Sequence, residues 1–154
     1  MATRPRLRTI YFDLPHAVAT HDWIIEHSGG LAGSKDIGQL ESILEHIQND
    51  DYYPEIEDKV THLVFSVNKF HAFNDGNKRS SLALGAYFLE INGFGYLVRR
   101  FIIEMENIAV WVADNFIGKE LLRIIISSIL YEDDFPEAIK LAIYEAVYSE
   151  RISS

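Results

Sequence analysis

His71-Ala72-Phe73-Asn74-Asp75-Gly76-Asn77-Lys78-Arg79 is the stretch that decides how this chain is read. It joins two segments of helical periodicity. On its N-terminal side Ile56, Val60, Leu63, Val64, Val67 and Phe70 recur at steps of three and four, which places them on one helix face. That spacing predicts a helix starting after Pro54 and running directly into His71. On the C-terminal side Leu82, Leu84, Tyr87, Phe88 and Ile91 predict a second helix, opening near Asn77 and closing at the Asn92-Gly93 pair. The nine residues are therefore a polar loop and the first turn of the helix that follows it.

Outward from this pair the chain reads as mostly helical. A first helix is expected from Pro15, capped by Asp13, to Ser28, with Gly29-Gly30 ending it. Residues 29–34 form a turn-rich loop. Asp36 then caps a second helix, and Gln39 three residues on completes the pattern of a capping box. Ile102 to Phe116, Lys119 to Tyr131, and a segment from Pro136 (capped by Asp134) to about Arg151 read as three more helices. Strand signals are weak. Only Arg8 to Phe12 and Gly95 to Arg99 carry the β-branched and aromatic content of brief strands. The expected fold class is a mainly α helical bundle, a single domain with at most a short β-hairpin or edge strands. Within it, residues 1–116 form the core and 117–154 a helical extension packed on the same domain.

Composition excludes several functions. The 154 residues are 48% apolar and 24% charged, the profile of an ordinary globular domain. Without a single Cys there are no disulfides, thiolate nucleophiles, Cys-based zinc sites or Fe–S clusters. A net charge of −9 argues against broad nucleic-acid binding, because little would neutralise the phosphates. No apolar run approaches the roughly 20 residues of a membrane span, and no long apolar segment follows Arg4, Arg6 and Arg8 as a secretory signal requires. A cytoplasmic protein is the simplest expectation. The charge is uneven: residues 41–58 hold seven acids and no Lys or Arg, while residues 69–100 hold Lys69, Lys78, Arg79, Arg99 and Arg100 against Asp75 and Glu90. A cationic centre in an acidic chain points to an anionic ligand, or to nothing more than a patchy surface.

The chemistry concentrates in the loop. A helix start presents unpaired N–H groups and the positive end of the helix dipole, which suits a phosphate. Gly76 permits close approach of the backbone, and Lys78 and Arg79 add charge from the same turn. Asp75 is the hard oxygen ligand that Mg²⁺ takes when it bridges phosphates. His71 is placed to act as a general base on an attacking hydroxyl. Phe73 is an apolar peg turned into the core. The same residues also fit an ordinary turn before a capped helix, so from the residues alone both readings stand.

The complete string resembles the signature of the Fic/Doc family, His-x-Phe-x-Asp/Glu-Gly/Ala-Asn-Gly/Lys-Arg, and Lys78 is similar to the Doc branch. Residues 30–44, GLAGSKDIGQLESIL, resemble the Gly-rich loop and following helix of Doc-type proteins, and His21-Asp22 fits the pattern more weakly. The resemblance extends from about Ile10 to Phe116. It implies transfer of a phosphate-containing group from ATP or another nucleoside triphosphate, with Mg²⁺, to a protein hydroxyl. On that resemblance His71 is the base, Asp75 the metal ligand, and Gly76, Asn77, Lys78 and Arg79 the nucleotide phosphate site. The Doc branch further implies a toxin that acts as a protein kinase on a translation component such as an elongation factor, neutralised by a small antitoxin. Adenylyl transfer, the reaction of members with Gly at the position of Lys78, is the alternative, as is a module that binds nucleotide or antitoxin without turnover. Ala72 stands where Pro is usual and Gly76 where Doc has Ala, so the reaction subtype is open.

The remaining features read as structural. His16, His21, His27, His46 and His62 show no ligand spacing on a common face, and Tyr87, Phe88, Phe94, Tyr96 and Phe101 read as core. Family members are often restrained by a Ser/Thr-x-x-x-Glu-Gly/Asn helix. The nearest string, Ser128-Ile-Leu-Tyr-Glu132-Asp133, has Asp in the last position, so an inhibitor supplied by another protein is expected.

Overall fold

A computed structural model describes residues 8–34 and 36–152; Arg4, Arg6 and Lys35, on which parts of the sequence reading rest, lie outside the described residues. The elements are α1 (Leu14–Ser28), α2 (Ile37–His46), α3 (Ile56–Lys69), α4 (Asn77–Leu89), α5 (Val98–Ala113), α6 (Lys119–Tyr131) and α7 (Glu137–Ile152). No helix among the described residues is long and apolar enough to cross a membrane.

The local signals act largely as expected. The Asp13 carboxylate accepts the His16 N–H at the start of α1, where Pro15 sits in the first turn. The Asp36 carboxylate accepts the Gln39 N–H at the start of α2. The capping box with reciprocal bonds forms instead at α3, between Glu55 and Asp58. Asp134 does not cap α7; its carboxylate accepts the Phe135 N–H, before the helix begins.

Both brief strands are corrected. Residues 8–12 form no strand; the Asn92 side chain accepts the Ile10 N–H and donates to the Ile10 carbonyl, supplying both bonds a neighbouring strand would have made. Gly95–Leu97 is a 3₁₀ turn leading into α5, reached from α4 through a π turn at Glu90–Phe94. Among the described residues the sole β feature is an antiparallel bridge between Ser34 and Phe73.

The bundle is organised around α3, which packs against α2, α4, α5 and α6. Val60, Leu63, Val64 and Val67 are fully buried, and Leu84, Phe88, Phe101, Met105, Leu122, Ile125 and Ile129 close over them from the surrounding helices. The approach of α3 to α4 depends on Gly85: a Cβ there would lie 2.7 Å from Val64 Cγ2 and 3.2 Å from the Phe101 ring. Because helices surround it, α3 is buried well beyond its apolar stripe. Thr61, His62, Ser66 and Asn68 are all enclosed.

His62 shows the consequence. Its ring stacks on Tyr53, with centroids 4.5 Å apart, and Nδ1 accepts the Lys119 ammonium at 2.8 Å. Burial first, then the charge of Lys119 and the neighbouring His46, push it from 6.5 down to about 4. The unfolded chain therefore takes up a proton near 6.5 that the folded protein refuses until about 4. Stability is complete above the upper value and is lost as pH falls towards the lower one. Thermal midpoints should drop across that window, and His62→Phe should flatten the drop. An equal slope in the variant would remove His62 as its source.

Candidate active site

The site is built where α3 ends and α4 begins. After the C-cap Phe70 the chain turns through His71, whose φ of 51° is left-handed. For a residue with a Cβ this costs about 1–2 kcal/mol. The turn sends Ala72 and Phe73 inward, 0% and 1% exposed. The Phe73 ring lies flat on His21 of α1, with centroids 3.7 Å apart and planes 4° from parallel. His21, itself fully buried, places Nε2 2.6 Å from the Asp75 carbonyl oxygen. A carbonyl only accepts, so Nε2 carries the proton and donates it.

Asn77 closes the loop from the other side. Its Oδ1 accepts the Phe73 N–H at 3.3 Å and its Nδ2 donates to the Phe73 carbonyl at 3.1 Å. The side chain is thereby committed to the loop, leaving Asn77 its main-chain N–H for an anion. Gly76, the N-cap of α4, has φ 77°, and a Cβ would lie 3.1 Å from Ile25 Cδ1 and 3.5 Å from His21 Nε2. No side chain caps α4, so its first N–H groups are open to an anion.

Residues 29–34 lie across this loop. The Leu31 N–H donates to Asp75 Oδ2 at 3.2 Å, the Asn74 N–H to Gly33 O at 3.2 Å, and Asn74 Nδ2 to Ala32 O at 3.2 Å. Arg79 Nη2 donates to Gly29 O at 3.2 Å. The Gly76 and Leu31 N–H groups, in that order, hold the Asp75 carboxyl below its ordinary range, so it is ionised at neutral pH. Two of its lone-pair positions are occupied by these bonds, and the others remain for a cation.

The result is a cleft of about 480 Å³ lined by Asn68, His71, Asn74, Asp75, Gly76, Asn77, Lys78, Arg79 and Ala113. Six of the seven candidate site residues meet in it; Phe73 lies behind the wall. Lys78 and Arg79 are exposed on the cleft surface. Two cations of the wider centre read from residues 69–100 are engaged at helix ends rather than free for a ligand. Lys69 donates to the Val112 carbonyl and to Asn115 at the end of α5, and Arg100 donates to the Ile129 and Glu132 carbonyls at the end of α6.

The segment 128–132 stands at the other end of the bundle. Ser128 is buried, and Tyr131 donates its hydroxyl to Glu57 in the first turn of α3 at 2.8 Å. Arg79 lies past the last turn, so the length of α3, roughly 20 Å, separates the two. Glu132 therefore does not pair with Arg79.

Two contributors were not among the candidate site residues, although the family resemblance touched His21 weakly. His21 shares the inward face of α1 with Ala17 and Ile24, a four-and-three spacing that was available to read. Asn68 sits on the last turn of α3 with its side chain buried against α5, which the one-sided apolar pattern of α3 hides.

Two known proteins are similar in sequence to this chain. The protein kinase Doc of Escherichia phage P1 is 40% identical over 80 residues, covering 49% of this chain and 63% of that protein. A toxin Doc of Mycolicibacterium smegmatis is 38% identical over 69 residues, covering 42% and 53%. The matched stretch thus spans less than two thirds of either relative. The sequence profile of the Fic/DOC family matches residues 11–89, from before α1 through the last residue of α4, and so takes in the whole loop, its cover and its buried supports. The chain belongs to the Fic/DOC family.

Proposed function

We propose that the chain is a Doc-like toxin that phosphorylates a protein hydroxyl from ATP or another nucleoside triphosphate. The observation that carries this reading is the single cleft holding His71, Asp75, Lys78, Arg79 and the uncapped start of α4. In the proposed reaction His71 takes the proton of a target Ser, Thr or Tyr hydroxyl. The oxygen forms a bond to the γ-phosphorus, and the bond from that phosphorus to the bridging oxygen breaks as ADP leaves. Arg79, Lys78 and the first N–H groups of α4 balance the phosphate charge. Asp75 fits Mg²⁺ as a lone protein carboxylate alongside substrate phosphates; when bound, the ion neutralises phosphate charge.

Two observations support a kinase over an adenylyltransferase: Lys78 on the cleft wall, and the protein kinase name of one relative. The toxin name of the other supports a small antitoxin partner. A translation component is the proposed target, with the cytoplasm as the site of action. Expression of the chain alone should arrest growth. After incubation of a lysate with the protein and Mg·ATP, mass spectrometry should find one translation protein carrying a new phosphate. Normal growth together with an unmodified lysate would overturn the reading.

A further inference from the structure

We infer that Asn68 is a positioning residue for His71: when the exposed imidazole turns into the cleft for transfer, the Asn68 side-chain oxygen accepts its Nδ1–H and leaves Nε2 free to take the proton of the target hydroxyl. This rests on the phosphotransfer reading of the cleft. Asn68 is 2% exposed, yet forms part of the cleft wall. Its Nδ2 donates to the Ala109 carbonyl of α5 at 3.0 Å. A carbonyl cannot donate, so chemistry fixes which end of the amide is nitrogen, and Oδ1 is the other end. That oxygen is buried and meets no donor among the described residues. Leaving a buried acceptor unpaired is costly, and folding alone gives no reason to keep one here.

The missing donor is close in the chain. His71 follows Asn68 by three residues and lines the same cleft. Its left-handed φ, at the first position past the C-cap, turns the chain at the end of α3, within one turn of Asn68. Two other side-chain acceptors of the cleft are already engaged: Asp75 takes the Gly76 and Leu31 N–H groups, and Asn77 Oδ1 takes the Phe73 N–H.

The chemistry requires such a partner. A neutral imidazole accepts a proton at one nitrogen only while the other carries hydrogen, and the bond made by that second nitrogen sets which one is free. Once Nε2 is protonated, the amide dipole also stabilises the imidazolium without adding a buried charge.

The test is ¹⁵N NMR of the His71 ring, with transfer kinetics in parallel. Wild-type protein should hold His71 as the Nδ1–H tautomer, whereas a partnerless side chain favours Nε2–H. Asn68→Leu should flip it to Nε2–H and lower kcat by about 10²-fold, leaving KM for ATP unchanged. In the background of His71→Ala, Asn68→Leu should cost nothing more. Wild-type His71 found as Nε2–H would overturn the inference, and needs no variant to fold. So would Asn68→Leu with an unchanged tautomer and full kcat. If the wild-type tautomer is Nδ1–H and flips in Asn68→Leu, but no transfer is seen from any nucleotide, the pairing stands and the proposed function fails.

Discussion

His71→Ala should lower transfer by about 10²–10⁴-fold, the usual contribution of a positioned general base, while the fold and nucleotide affinity stay close to wild type. The side chain is exposed in the cleft and contributes nothing to the core, so its loss removes chemistry and little else. The backbone makes a second readout available. At a φ of 51° the site suits Gly better than any residue with a Cβ. His71→Gly should therefore be as inactive as His71→Ala but more stable by about 0.5–1 kcal/mol. A residue that costs stability and is required for turnover is what an active-site role predicts. Transfer by His71→Ala within roughly tenfold of wild type would remove the base from the mechanism.

Phe73→Ala should be the most destabilising change in the loop, by about 3–5 kcal/mol. The ring is 1% exposed and lies 3.7 Å from the His21 ring, which in turn holds the Asp75 carbonyl. Truncating it opens a cavity and loosens the anchor that sets residues 73–77. For a chain of this size the midpoint should fall by roughly 10 °C, read by circular dichroism. Transfer should be depressed even where the variant remains folded. Phe73→Leu, which keeps most of the apolar volume, should recover much of both. A fall of less than about 2 °C in Phe73→Ala would show that the ring is no anchor.

Much of this architecture was legible because local signals agreed with one another. Apolar spacing, Pro15 and the Asp13 and Asp36 caps placed α1 to α4, and the polar interval between two periodic segments placed the loop. Features decided by tertiary packing were harder to read. The apolar spacing of α3 predicted one buried face, whereas four neighbouring helices enclose it, and His62 and Asn68 became buried polar groups as a result. The strand signals at residues 8–12 and 95–99 reflect β-branched and aromatic content, but among the described residues no second strand pairs with either. Lys69, Arg100 and Arg79 are close in sequence and serve helix ends tens of residues apart, which charge counting along the chain cannot foresee. The covering of the motif by residues 29–34 rests on their backbone N–H and C=O groups, so side-chain types do not announce which segment the loop meets.

The measurement that tests the central claim most directly is label transfer from ATP carrying radioactive phosphorus at the α or the γ position, with Mg²⁺ and a susceptible lysate. In-line geometry decides which phosphorus is attacked, and the proposed kinase reading has Lys78 filling the space where Gly would leave an open nest for the outer phosphates. The account predicts label on a protein from the γ position only, lost in His71→Ala and weakened in Lys78→Gly. Label from the α position only would replace phosphorylation with adenylylation, and no label from either position would contradict the assignment of this cleft as a transferase site.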